Sequence, residues 1–419
     1  MMGLGAMIGT GVFVSLGLGA GIAGPAVILA LALAAGLALC NGLSSAELAA
    51  SHPVSGGTYE YGYVYLSSWA GFTAGWVFLI AKSASAATAA LGFAGYLLHL
   101  LAQPPTSLVP VALASVGVLT GIVMAGIRRS NVANTLIVSI TLLALAFFIV
   151  AGLPYVENEN LTPFFVGVAS GGASNLSALL QATALMFVAY TGYARIATLG
   201  EEVRDPKRTI PRAIILSTLL VMLLYGAIAI VGVGVAGSDG LLAATEEQAA
   251  PLAVVARLFA VPGSSTVLAI GALTAMLGVL LNLLLGLSRV VLAMARRGDL
   301  FAMLATLNER GTTPHMAVLA VAIVIAALVS IGDVRTTWSF SAFGVLIYYS
   351  LTNLAALRMP KNERLYPRGI AGVGFVACLV LAFWVEQAVW LIGLALIAIG
   401  FAWHAWRRTS PHWQTHGRT

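Results

Sequence analysis

Lys82 is the residue whose surroundings ask most of it. It follows Trp69 by thirteen positions, about 20 Å of helix at ~1.5 Å per residue, inside an apolar stretch that holds no carboxylate. An ammonium at that depth is costly and marks a candidate functional site. The chemistry open to it is the binding and release of a proton. The plainer reading is a structural lysine, its stem packed and its tip reaching carbonyls. All 15 Asp and Glu residues fall in loops or at the ends of apolar segments, which disfavours a proton relay built on carboxylates. The six histidines are scattered toward loops and ends without metal-ligand spacing, and the chain has no His-Glu-x-x-His or Gly-x-Ser-x-Gly. An enzyme is therefore not expected, nor a cofactor or resident metal. Cys40 and Cys378 lie in apolar runs and read as small packing residues.

The other candidate groups belong to the main chain. Gly5-Ala6-Met7-Ile8-Gly9-Thr10-Gly11-Val12-Phe13 and Phe187-Val188-Ala189-Tyr190-Thr191-Gly192-Tyr193 set glycines inside apolar segments. Glycine in such a place usually lets two helices approach closely, and Gly17, Gly19 and Gly232 fit that role. Clustered glycines can also interrupt a helix, and amides and carbonyls at a break replace the water that a charged solute gives up. The N-terminal end of a half-helix favours an anion. Two breaks at corresponding positions of two halves say more than either does alone.

Positioning these groups falls to a membrane-spanning scaffold. The chain has 419 residues, 60% of them hydrophobic and 9% charged, against roughly 25% charge in soluble domains. A span needs about 20 apolar residues. Twelve segments qualify, near 3–21, 25–46, 68–96, 107–126, 132–152, 176–198, 212–236, 264–292, 315–332, 336–357, 370–385 and 389–406. The apolar piece around 250–260 is too short to span and is expected as a surface helix on the outer face. With both termini in the cytoplasm, all but four of the 21 lysines and arginines fall on the inner side. The exceptions are Lys82 and Arg195 within spans and Arg257 and Arg335 outside, the bias of a multi-pass protein of the cytoplasmic membrane. The net charge of +6 is thus a topology signal, and no nucleic-acid partner is implied. No basic region precedes the first segment, so a cleavable signal peptide is not expected.

The first-segment motif resembles that of the amino acid–polyamine–organocation superfamily. So do Ser45-Ala46-Glu47-Leu48-Ala49 with Pro53-Val54-Ser55-Gly56-Gly57-Thr58-Tyr59, and Gly200-Glu201-Glu202-Val203-Arg204-Asp205-Pro206 with its continuation to Arg212. Ser288-Arg289 and Asn353-Leu354-Ala355-Ala356-Leu357-Arg358 match later helix ends. The resemblance implies an all-α membrane protein of the leucine-transporter type, a single domain of five helices, five inverted helices and two more. The first repeat would span about 1–152, the second about 176–357, and the extra helices about 370–406. It implies secondary active transport of an amino acid by alternating access, with the substrate carboxylate on the amides of Gly9, Thr10 and Gly11. The ammonium would meet carbonyls near Met7, Ile8, Ala189 and Tyr190. Tyr190 matches a gating aromatic, and Tyr193, after Gly192, shapes the side-chain pocket. Relatives carry a longer first half-helix than the eight residues before Gly9, so Met1-Met2 reads either as an internal start or as the start of a shortened first half-helix.

Two coupling ions remain open, a proton through Lys82 or sodium. Proton-coupled relatives carry a fifth-helix lysine where this chain has Ile137-Val138-Ser139-Ile140-Thr141-Leu142, so Thr141, first-helix carbonyls and Ser288 are the sodium alternative. Arg195 is expected to pair with Glu201, Glu202 or Glu47 as an inner gate or as a satisfied charge. With no carboxylate in the spans, a neutral amino acid is favoured over a cationic one. An exchanger for cationic or acidic substrates, or a substrate sensor on the same fold, is the alternative. Oligomeric state is not legible.

Overall fold

The computed structural model describes residues 2–52, 56–126, 131–165, 174–197, 206–308 and 313–409. Among them there is no strand, and the helices are α1 Met2–Met7, α2 Leu16–Ala23, α3 Val27–Ser51, α4 Thr58–Tyr65, α5 Ser68–Leu100, α6 Leu108–Met124, α7 Asn131–Gly152 and α8 Asn175–Tyr190. There follow α9 Ala194–Ala197, α10 Pro206–Gln248, α11 Pro251–Ala256, α12 Ser264–Arg296, α13 His315–Val329, α14 Val334–Arg358, α15 Arg368–Ala382 and α16 Gln387–Thr409. Nine continuous helical stretches among the described residues are long and apolar enough to cross a membrane, and α13 and α15 are shorter apolar helices. One of the nine, Gly11–Ser51, turns at Gly24, whose φ of 61° suits a residue without Cβ. Pro25 follows and starts a short 3-10 turn into α3. In α10 the same device at Gly237, φ 69°, breaks the helix near its end.

Side chains cap the starts of two of the long helices. Asp333 caps α14 by accepting from the amides of Arg335 and Thr336, at 3.0 and 2.9 Å, and Ser67 caps α5 through Ala70 N–H at 3.2 Å. Each cap satisfies amides that a first helical turn leaves unpaired.

Burial separates a central column from a lipid-facing shell. Leu143 of α7 is 71% exposed and Leu223 of α10 is 68%, apolar area of the kind that a lipid surround covers in a chain with this many apolar spans. By contrast α5 and α14 are buried through most of their length and pack on small residues. Gly344 lies so close to Ala81 that a methyl there would collide with it, the close approach that glycine permits in membranes. Hydroxyl pairs cross the same seam, Ser85 with Ser341 at 2.5 Å and Thr88 to Thr337 at 2.8 Å. Asn353 donates to Asn41 Oδ1 at 2.6 Å, tying α14 to α3.

A polar knot gathers the C-terminal end of α12, α4, the start of α5 and the end of α16. Buried Asp299 accepts from the hydroxyls of Tyr59 at 2.7 Å and Tyr63 at 2.8 Å, and His404 Nδ1 stands 3.6 Å from it. Burial, and then the neighbouring carboxylate, push both phenols well above their usual range, so they stay protonated donors. Arg297 pairs with Glu60 at 2.7 Å and lies over the Tyr63 ring at 4.2 Å. On the opposite face, Arg335 pairs with Glu246 at 3.3 Å.

One expectation is corrected. The short apolar segment near 250–260 is not a surface helix, for Leu252, Ala253 and Ala256 of α11 are fully buried. The physical reason is that α11 plugs the space over the Gly11–Ser15 segment. Tyr96 holds it there by donating to Phe13 O at 2.7 Å and accepting from Leu252 N–H at 3.2 Å.

Candidate functional site

The first break falls where the glycines stand. The helical ladder of α1 stops after Ile8 N–H bonds to Leu4 O at 2.8 Å, and it resumes with Val12 and Phe13 both donating to Gly9 O at 3.2 Å. Gly11–Ser15 then winds as a π-helix before α2 begins. The second break follows Tyr190, where α8 tightens to a 3-10 turn over Thr191–Tyr193 and restarts as α9. At its end Thr191 bonds twice to Val188 O, through its amide and through its hydroxyl at 2.8 Å.

The two breaks press against each other backbone to backbone. A methyl on Gly192 would land on the backbone of Ala6 and Met7, and one on Gly11 would meet Ala189. Gly9 faces Val279 of α12 just as closely. Only glycine allows this approach, so these residues make the contact as well as the interruption.

Between the breaks, α5, α12 and Trp338 of α14 lies a cavity of about 170 Å³. Its wall includes Met7, Gly9, Thr10, Gly11, Ala189 and Gly192, six of the nine substrate-site residues expected from sequence. It also includes Lys82, whose ammonium donates to Thr191 Oγ1 at 2.8 Å, and Arg195, whose guanidinium donates to Asn282 Oδ1 at 3.1 Å. None of the described lining residues is a carboxylate. The remaining three behave differently. Ile8 lines a second cavity, while Tyr190 and Tyr193 are fully buried behind the wall, packed on Tyr225 and Tyr349 with ring centroids 5.4 Å apart in each pair.

That second cavity, of about 10 Å³, lies between α1, α7 and α12 and is lined by Gly5, Ile8, Thr141 and Gly278 among others. It has room for about one water or a small ion. Thr141 donates to Ile137 O at 2.8 Å. Ser288 lines neither cavity; it sits ten residues past Gly278, about 15 Å along α12, and bonds to Leu285 O at 3.0 Å. Glu47 meets no arginine head at the cavity but accepts from the amides of Leu365 and Tyr366, at 3.2 and 3.3 Å. Glu201 and Glu202 lie outside the described residues. Among the described residues no group of three His, Cys, Asp or Glu stands close enough to hold a metal.

Sequence comparison decides the family. The amino acid permease family matches residues 1–416. The chain belongs to the amino acid permease family. An uncharacterized transporter of Mycobacterium tuberculosis is 41% identical over 97% of the permease and 89% of that protein. A branched-chain amino acid permease of Bacillus subtilis is 29% identical over 94% of the chain and 90% of its own length. Human cationic amino acid transporter 4 is 29% identical over 87% of the chain but only 59% of its own length.

Four residues of the permease escaped the reading of its sequence. Asn282 and Trp338 line the cavity, the latter with its indole donating to Leu185 O at 3.0 Å. Thr191 receives Lys82, and Tyr225 donates to Met7 O at 2.7 Å, occupying one of the carbonyls expected to meet an ammonium. Thr191 lay within a quoted motif and had a visible signal, a hydroxyl beside the break glycine. The other three are brought in by tertiary packing alone.

Proposed function

We propose that this permease carries neutral amino acids across the cytoplasmic membrane by alternating access, with proton binding and release at Lys82 as the coupling step. The observation that carries the reading is the cavity itself, where two broken helices, a buried lysine and no carboxylate among the described lining residues meet. Its head-group assignment puts the substrate carboxylate beside Gly9, Thr10 and Gly11, at the start of a helical segment that favours an anion. The ammonium then lies toward the Val188 and Ala189 carbonyls. Lys82 and Arg195 disfavour a third positive charge, which argues against lysine or arginine as substrate. The volume suits a modest side chain, since an engineered cavity of about 150 Å³ takes a molecule the size of benzene. The bias of basic residues supports cytoplasmic termini, and two breaks in matching halves support the inverted repeat over 1–152 and 176–357. Arg195 with Asn282 bridges α9 and α12 as the inner gate.

Sodium is the second reading, favoured by the water-sized cavity at Thr141. Uptake of radiolabelled leucine, alanine, arginine and glutamate into proteoliposomes, under proton and sodium gradients imposed separately, tests both. Leucine or alanine accumulation driven by an outward-directed proton gradient, the direction in which a proton on Lys82 is exchanged for substrate, is expected, and its loss in Lys82→Met. Saturable uptake of arginine alone overturns the substrate reading, and undiminished proton-driven accumulation by Lys82→Met overturns the coupling reading.

A further inference from the structure

We propose that the Thr191 hydroxyl is a two-position switch that reports the proton on Lys82 to the carbonyl that receives the substrate ammonium. The inference rests on the reading of Lys82 as the proton site. Its geometry is a three-member chain, from Lys82 Nζ to Thr191 Oγ1 at 2.8 Å and from Thr191 Oγ1 to Val188 O at 2.8 Å. Val188 O also accepts the Thr191 amide, so both of its lone pairs are taken.

Donor and acceptor roles make the arrangement depend on one proton. A charged lysine has three donors and no acceptor, so Thr191 must receive from it and must send its own hydroxyl hydrogen to Val188 O. When that proton leaves to the water of the cavity, the neutral amine gains a lone pair. The Thr191 hydroxyl then turns to donate to Lys82, and Val188 O is left with one open lone pair on the cavity wall, where an ammonium can use it. Protonated Lys82 therefore closes an ammonium site and neutral Lys82 opens it. Substrate and proton antagonise each other, by reciprocity in both directions.

Few other groups can imitate this. Among the described residues lining the cavity the other charged group is Arg195 on α9; α1 and α12 contribute none, and α14 contributes Trp338. The Tyr349 hydroxyl donates to the Thr191 carbonyl at 3.4 Å, away from its side chain. Thr191 is a positioning residue in this account, and its effect is read through a pH profile.

The test is binding of L-leucine to the purified full-length protein across an acid-to-alkaline series, for the unaltered chain and for Lys82→Met, Thr191→Val, Thr191→Ala and Thr191→Ser. The unaltered chain and Thr191→Ser are expected to bind more tightly as pH rises, by up to about tenfold per unit for one linked proton, with proton release on binding. Thr191→Val and Thr191→Ala leave Val188 O permanently open. Their affinity at acid pH is expected to exceed that of the unaltered chain, by about tenfold, and their profile to flatten. A loss that is parallel at every pH in both variants makes Thr191 merely structural and overturns the switch. A flat Lys82→Met with an unaltered Thr191→Val profile also overturns the switch, yet leaves the lysine reading standing. A Lys82→Met profile like that of the unaltered chain removes both.

Discussion

Replacing Gly192 by alanine tests the claim that the site depends on backbone contact between the two breaks. The added methyl would fall on the carbonyl carbon and oxygen of Ala6 and the amide of Met7. These are main-chain atoms, so no rotamer change relieves the clash, and α1 must back away from the Thr191–Tyr193 turn. Overpacking costs about 1–3 kcal/mol, and a backbone partner puts this case in the upper half, about 2–3 kcal/mol. At 1.4 kcal/mol per tenfold, a substrate held by both breaks as proposed should bind about 30- to 140-fold more weakly. Gly226→Ala, where nothing lies within 4 Å of the new methyl, is the control, and helix propensity there favours alanine by about 1 kcal/mol. Equilibrium binding and thermal melting of the two purified variants form the assay. Gly192→Ala that binds within twofold of the unaltered chain and melts with it would refute the argument.

Two further perturbations address the frame around the cavity. Tyr96→Phe removes the hydroxyl that joins Phe13 O to Leu252 N–H; leaving those groups unpaired costs about 1–3 kcal/mol, so hydrogen exchange at the Leu252 amide should rise about tenfold or more, and unchanged exchange contradicts the latch. Asp299→Asn keeps the shape but weakens the charged acceptor of Tyr59 and Tyr63, at about 2 kcal/mol; a lower melting temperature with faster exchange in α4 is expected, and an unshifted melt counts against the knot.

Much of this was legible in the residues. Apolar runs of span length and the Met-Ile-Gly-Thr-Gly cluster announced the scaffold and the first break, because glycine and hydropathy act locally. Lys82 stood out as a cation in an apolar run, and it lies on the cavity wall. What failed needed the third dimension. Hydropathy tells that α11 is short and apolar, but not that it inserts as a plug. Tyr190 and Tyr193 stand behind the wall instead of in it, packed on Tyr225 and Tyr349, neighbours that only the tertiary packing supplies. Ser288 was placed by motif, whereas the rise of α12 carries it about 15 Å from the small cavity.

The walls contributed by main chain have a consequence for how such proteins diversify. Gly9, Gly11 and Gly192 on the cavity wall have no side chain to present, so what they offer is peptide backbone, and no codon change deletes a peptide group. If the proposed site holds, grip on the part common to all amino acids is thereby shielded from drift. The side-chain walls, Phe78, Val279, Leu283 and Trp338, remain free to vary. Lineages can change diet without rebuilding the grip.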